Sequence, residues 1–499
     1  MSTSRSLIRN TVVNAFAAIS STVISILATS ILLGALGTAG YGLWMMVLMM
    51  SFDRGLMALL DFGHGTAALQ QLAIADNRQR ARIKRELKKK YLIFSLIGIL
   101  VLLSGGRYFL GEIATGDTGG DLWLFTIFMC LRLPIDMLHA GNIVELESRA
   151  KYPAIRLIQF VGNFSWLITA LIASQFGLQI KFIAAVYLSI GVMQFIISSV
   201  ISSLNSRSFD NQTTDLPTSK IDLWRNGRWI ALQIGLSTIY SNMDRLIISL
   251  AVGLAGVGAY EIPYKVQALG VLLLSVVPSA VFPIAASVKD REGGETLANL
   301  YIRGTRLAVA FCIPPLMALV FLAEPLVVLW VGEKYRYLAD SVRLFTSWSF
   351  LGVFHVIGIT MLSAVGRNRA AFYLFLGTVA VNLPVSIWLG MKWGINGVII
   401  GTLSGYAFGF VPYLMVELRT FNVSVSQWFH SVVKPLLVPA TLEALLLFII
   451  LNWLGQTLNL LEVLAVGASG TAIAWASYLK FFSSPEDVQL IRSAMSRRK

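Results

Sequence analysis

"MMVLMMSFDRGLMALLDFGHG", residues 45–65, is apolar enough to belong to a membrane span, yet it holds Asp53, Arg54 and Asp61. A charged side chain near mid-bilayer costs roughly 2.5–3.5 kcal/mol on insertion scales, and one Leu returns only about 0.5. Charges kept at that cost point to a use, or at least to partners.

The rest of the chain agrees with a membrane setting. Its 499 residues are 56% hydrophobic and 13% charged, with a mean hydropathy of +0.71, where a soluble domain carries about 25% charged residues. Each crossing needs about 20 apolar residues. Fourteen stretches qualify: 11–36, 41–62, 91–109, 122–144, 154–176, 182–204, 229–250, 258–284, 305–329, 341–362, 371–389, 395–416, 435–454 and 461–481. Pro278 and Pro283 predict a kink or early end in the eighth. Cys130 and Cys312 both fall inside spans, so no disulfide framework is expected. Arg5 and Arg9 precede an apolar run too long for a signal-peptide core, which reads as an uncleaved first helix.

Charge sets the orientation. With the N-terminus inside, 29 of the 40 Lys and Arg lie in or at the ends of cytoplasmic segments and five lie outside. Such a bias supports an all-α polytopic protein with both termini cytoplasmic. It also accounts for the net charge of +14 without nucleic acid. The densest block is "RQRARIKRELKKK" (78–90); the acidic loop "GEIATGDTGGD" (111–121) is expected outside.

No loop is long enough to fold alone. The longest, 205–228, is polar and breaker-rich, and it reads as a cytoplasmic linker between two pseudo-symmetric six-helix bundles, 1–204 and 229–416. Residues 417–499 then carry two additional spans and a cytoplasmic tail. A faint repeat supports the halves. "LGALGTAGYG" (33–42) and "VGLAGVGAYE" (252–261) share Gly34/Gly253, Gly37/Gly256 and Tyr41/Tyr260 at an offset of 219. Transporters are often built from such repeats, with the cargo site between them.

Charges at depth cluster on few spans. In the second, Arg54 and Asp61 are seven apart and are expected on one helical face, about 10 Å apart along the axis. In the fourth, Arg132, Asp136 and His139 fall at i, i+4 and i+7. The plainer reading there is an Arg132–Asp136 pair satisfied within its own helix, with His139 as a core hydrogen bonder. Asp244 and Arg245 follow in the seventh, Glu261 and Lys265 in the eighth, Arg343 and His355 in the tenth. This segregation suits a polar cavity between two bundles. Its cations, Arg54, Arg132, Arg245, Lys265 and Arg343, suit an anionic cargo, since the guanidinium fork grips two phosphate oxygens at once. Asp61, Asp136, His139 and Asp244 are candidates for a coupling proton or Na⁺. There is no GxxxxGK[ST] motor motif and no Cys/His cluster with metal spacing, so transport is expected to be secondary or driven by a partner, with no cofactor, no metal and no catalytic residue.

Three stretches resemble the polysaccharide-unit flippases (the Wzx type) of the multidrug/oligosaccharidyl-lipid/polysaccharide exporter superfamily. "GTAGYGLWMMVLMMSFDRGLMALLDFGHG" (37–65) is similar to the family's G-x-x-x-Y-G loop and D-[LF]-G helix end. "DRLIISLAVGLAGVGAYEIPYKVQALG" (244–270) is similar to its D-R-[LIF], V-G-x-Y and [AP]-Y-K series. "GRNRAAFYLFLGTVAVNLPVSIWLGMKWGINGVIIGT" (366–402) is similar to its eleventh and twelfth helices, with Asn382 and the G-I-N-G turn. Gln70 and Gln71 stand where members often carry a basic residue. The resemblance implies a V-shaped molecule of two six-helix lobes plus two C-terminal helices in the cell inner membrane. It implies alternating access that carries a polyprenyl-pyrophosphate-linked oligosaccharide from the cytoplasmic to the periplasmic leaflet. Partners are then that glycan, membrane lipids and polysaccharide polymerase machinery. A drug or cation antiporter of the same superfamily is the alternative, and would favour a carboxylate-dominated cavity. A membrane-embedded polymerase or glycosyltransferase ranks below it, because the outer loops are short.

Overall fold

The computed structural model describes residues 2–53, 55–106, 119–207, 223–289, 294–454 and 458–482. Arg54, most of the 205–228 linker and most of the acidic 111–121 loop lie outside them. Among the described residues every regular element is a helix, as lipid demands: backbone groups that cannot reach water must pair within their own segment. The helices are α1 (Ser2–Met49), α2 (His64–Ile74), α3 (Asn77–Val101), α4 (Gly119–Ser148), α5 (Tyr152–Phe176), α6 (Ile180–Arg207), α7 (Leu223–Ala251) and α8 (Leu254–Lys289). They continue as α9 (Gly294–Phe321), α10 (Ala323–Val331), α11 (Ala339–Val353), α12 (Val356–Ala364), α13 (Asn368–Phe421), α14 (Lys434–Leu454) and α15 (Leu460–Phe481). Among the described residues eight helices are long and apolar enough to cross a membrane, nine if the bent pair around His355 is one span.

Local signals set many of the ends. Asp76 caps α3 by accepting from the Gln79 backbone at 2.7 Å, and the Gln79 side chain answers the Asp76 N–H. Asn459 and Glu462 close the same box on α15 at 3.0 and 2.8 Å. Positive-φ glycines mark the turns: Gly37 (φ 68°) in the first repeat segment, inside α1, Gly253 (φ 87°) in the second, between α7 and α8, and Gly394 (φ 57°) at the G-I-N-G turn, inside α13. Pro278 and Pro283 do not end α8, which continues to Lys289.

The second span departs from expectation. Its α-helix stops at Met49, and a short 3-10 helix (Leu56–Asp61) follows a non-helical break. Gly55 is extended there (φ −129°), and a Cβ on it would lie 2.0 Å from the Met49 carbonyl oxygen. A glycine lets the chain fold back over the end of α1. Asp61 therefore ends a 3-10 helix rather than lying on the α-helix expected over 41–62, and Arg54 lies outside the described residues. Left-handed Phe62 and Gly63 then turn the chain into α2.

The described chain forms two compact units. One comprises Met1–Glu261 with Ser386–Val398, the other Ile262–Val385 with Ile399–Lys499. The first thus includes α7, whose polar face lies near Asp53, Gly55 and Ala58.

Candidate functional site

A cavity of about 440 Å3 opens in the first unit beside the broken span. Asp53, Gly55 and Ala58 line it from the break; Gln233, Ile234, Ser237, Thr238, Ser241 and Asn242 line it from α7. Irregular backbone at membrane depth is tolerated where it is buried in protein or borders a water-filled cavity. The α7 lining is neutral and polar. Thr238 and Ser241 give their hydroxyl protons to carbonyls one turn back, at 3.0 and 2.7 Å, and keep lone pairs for an incoming donor.

Asp53 accepts from the Tyr187 hydroxyl at 3.0 Å. The Tyr187 ring in turn carries the Arg132 guanidinium 3.6 Å from its centroid. Arg132 donates its Nε to both oxygens of Asp136 at 3.0 Å and its Nη1 to the Tyr187 carbonyl. It is 3% exposed and lies so flat on α6 that a Cβ on Gly191 would meet its Cζ at 2.8 Å. His139 pairs its Nδ1 with the Ser198 hydroxyl at 2.9 Å. The fourth-span stripe is thus a bracket between α4 and α6, linked to the cavity through Tyr187 and Asp53.

The other sequence candidates are also engaged. Asp61 accepts from Tyr91 at 2.7 Å and from the Gly65 backbone at 3.0 Å, which ties the start of α2 to α3. Asp244 accepts from Tyr260 at 2.8 Å, and Arg245 reaches Glu261 at 2.6 Å, so α7 and α8 are joined by two buried rungs. Glu261 therefore bonds Arg245 across the hairpin. Arg343 reaches Asp340 at 2.6 Å and Glu324 at 3.6 Å, in the second unit, where half-buried Lys265 also belongs. The residues lining the cavity include none of Arg132, Arg245, Lys265 and Arg343.

Sequence reasoning missed the α7 lining. Its signal was present as a polar stripe, Gln233, Ser237 and Ser241 at i, i+4 and i+8, in a span read only for charge. It also underrated the basic block. Lys84 forms an ion pair with buried Glu145, which also accepts from Ser202 and lies 3.5 Å from Arg149. Arg80 bonds Ser148 at 3.3 Å. These contacts fasten α3 to α4 and α6 at the cytoplasmic ends of the predicted spans. Burial and the neighbouring Lys84 ammonium lower Lys88 from the ordinary lysine value.

Comparison with known proteins follows the same direction. A family described as "Polysaccharide biosynthesis protein" matches residues 121–340. The chain is 25% identical to a "Probable flippase AglR" of Haloferax volcanii, over 75% of this chain and 76% of that one. It is 22% identical to a "Putative O-antigen transporter" of Shigella flexneri, over 79% and 94%. Among solved structures, "Lipid II flippase MurJ, inward closed conformation" matches with a TM-score of 0.68 at 15% identity, covering 95% of this chain and 98% of that one. An inward-facing multidrug resistance MATE family transporter matches with a TM-score of 0.64 at 15% identity, covering 82% and 98%. The fold is like that of these two solved transporters, and the resemblance to polysaccharide-unit flippases read from the motifs recurs in the names of the sequence relatives.

Proposed function

We propose that this multi-pass inner-membrane protein, similar in sequence to polysaccharide-unit flippases and folded like a lipid II flippase, moves a polyprenyl-pyrophosphate-linked oligosaccharide from the cytoplasmic to the periplasmic leaflet. It does so as a secondary transporter by alternating access, and is not an enzyme. The observation that carries this reading is the broken second span bordering a polar cavity in the first unit. Hydroxyls and amides on α7 suit sugar hydroxyls, which need both donors and acceptors. A prenyl tail needs neither and stays in lipid. Fourteen spans with both ends cytoplasmic remain the proposed topology, supported by the strong Lys and Arg bias.

Arg54 is the proposed first contact for the pyrophosphate, because its neighbours in sequence, Asp53 and Gly55, both line the cavity. Arg132, Arg245 and Arg343 each hold a carboxylate, so a phosphate has to displace one to be bound there. Likewise Asp61, Asp136, His139 and Asp244 serve a coupling ion only if their present bonds open during the cycle.

A Trp at position 237 tests the reading. Ser237→Trp fills the cavity and is expected to reduce outward display of the glycan to the background of cells lacking the transporter, at normal protein level. Ser237→Ala, which leaves the space open, is expected to retain most display. Full display with Ser237→Trp would remove the cavity from the path. The carboxylate of Asp53 favours a second reading, a drug or cation antiporter. Export of cationic dye from vesicles by the purified protein, abolished by Asp53→Asn, would select it.

A further inference from the structure

The second unit holds a buried acid–base cluster that the proposed path does not use. Glu417, late in α13, is fully buried. Its Oε2 accepts from the Tyr301 hydroxyl of α9 at 2.9 Å. Its Oε1 lies 3.2 Å from His355 Nδ1. His355 is 6% exposed, and its Nε2 is buried without a hydrogen-bond partner. The groups facing the pair are Tyr301 from α9, Tyr413 from α13, with its ring 5.7 Å from the imidazole, and Phe410 at 4.6 Å. Among the described residues His355 is the only basic side chain paired with Glu417. A Cβ on Gly358 would fall 2.1 Å from the Glu417 carboxyl carbon, so a missing side chain on α12 leaves the carboxyl its space.

A carboxylate here, beside a neutral imidazole, is an anion in an apolar core with two donors and no compensating charge. Burial penalises that form strongly. One added proton makes the cluster neutral, either as carboxylic acid with imidazole or as carboxylate with imidazolium. The second arrangement is disfavoured, because imidazolium has two N–H donors and its Nε2 finds no acceptor. His355 also occupies the break between α11 and α12, where the span bends by 45°. Loss of the proton strands an anion at that hinge, and only water or a movement of α12 relieves it.

We propose that Glu417, His355 and Tyr301 form a proton-binding site in the second unit, whose occupancy is coupled to the bend at His355. Uptake adds one proton from water at the Glu417 Oε1–His355 Nδ1 contact, and release returns it to water. No other bond is made or broken. As the seat of a coupling proton the site rests on the transporter reading above, but the proton itself can be observed without any cargo.

The test is infrared spectroscopy of the purified full chain in lipid vesicles, titrated from mildly acid to alkaline pH. The expected result is a buried carboxylic-acid C=O band that fades as pH rises and is absent in Glu417→Gln. Glu443→Gln, which removes a second buried carboxyl on α14, is expected to leave that band in place. Hydrogen exchange in residues 352–364 is expected to rise as the band fades and to be flat with pH in Glu417→Gln. If Glu417→Gln fails to accumulate, Tyr301→Phe serves instead. It removes a donor to the anion, so the band is expected to persist to higher pH. A spectrum with no carboxylic-acid band lost in Glu417→Gln, or a midpoint unmoved by Tyr301→Phe, overturns the site. Exchange in 352–364 that does not follow the band overturns the coupling. None of these results touches the cavity, whose part in transport is read from glycan display alone.

Discussion

Replacing Arg132 by Met is expected to deplete the folded protein, and adding Asp136→Leu is expected to restore it. The guanidinium meets both oxygens of Asp136, the carbonyl of Tyr187 and the face of its ring, at 3% exposure. Removing one partner of a buried ion pair strands the other, at a cost of about 3–5 kcal/mol. Stabilities are commonly only about 5–15 kcal/mol, so a loss of that size is visible as lower expression and earlier thermal unfolding in detergent. Replacing both partners by apolar groups of similar volume is often neutral or better. The double variant therefore separates fold from transport. If it folds and displays glycan normally, Arg132 acts only as the bracket between α4 and α6. If it folds and display is lost, the guanidinium has a part in the cycle as well. Arg132→Lys is expected to fall between, because it keeps the charge but loses the planar contact with Tyr187. A single Arg132→Met variant as stable as the parent would contradict the pairing itself.

The sequence made this bracket half visible. Arg132 and Asp136 are one helical turn apart, and an i, i+4 pair needs only a helix to form. The rungs between α7 and α8 were harder. Arg245 and Glu261 meet only once Gly253 closes the hairpin, so spacing along one helix pointed instead to Glu261 and Lys265. Apolar runs located α5 and α15 closely, since length and hydropathy are what a bilayer selects. The break in the second span was not legible. Residues 45–62 have the composition of a helix, and the feature that ends it is the approach of Gly55 to the Met49 carbonyl, a contact that composition does not encode. Glu417 was hidden for another reason. The apolar window closes at 416, so the residue was placed among the loops, whereas α13 extends to Phe421. Charge at the end of a hydrophobic window looks solvated until the neighbours of that end are known. The α7 stripe escaped because its serine hydroxyls barely lower hydropathy and the span was searched for charge, although the i, i+4, i+8 spacing of Gln233, Ser237 and Ser241 was in plain view.

Gly42→Ala is the second substitution expected to be severe. A Cβ on Gly42 would sit 1.9 Å from the Leu254 carbonyl oxygen, and a Cβ on Gly258 would sit 2.0 Å from that of Thr38. The two contacts are reciprocal: the start of the second span and the start of α8 cross with a glycine from each against the other's backbone. A carbonyl oxygen cannot turn aside as a side chain can, so the helices must separate. Overpacking commonly costs about 1–3 kcal/mol and occasionally more, and both variants are expected at or above the top of that range. Gly34→Ala is the contrasting case. Nothing lies within 4 Å of its added Cβ, and Ala is favoured over Gly in a helix by about 1 kcal/mol. Its expected effect on thermal unfolding is nil or a small gain. These positions also decide how the internal repeat is aligned. Sequence identity pairs Gly34 with Gly253 and Gly37 with Gly256, whereas the left-handed glycines are Gly37 and Gly253, and the crossing glycines are Gly42 and Gly258. Backbone geometry thus sets the halves three residues out of the register that identity suggests. If Gly34→Ala and Gly253→Ala destabilise equally, the identity-based register is the physical one; if Gly253→Ala alone is damaging, as its φ of 87° requires, the repeat is one of chain path, and the matching letters are incidental to it.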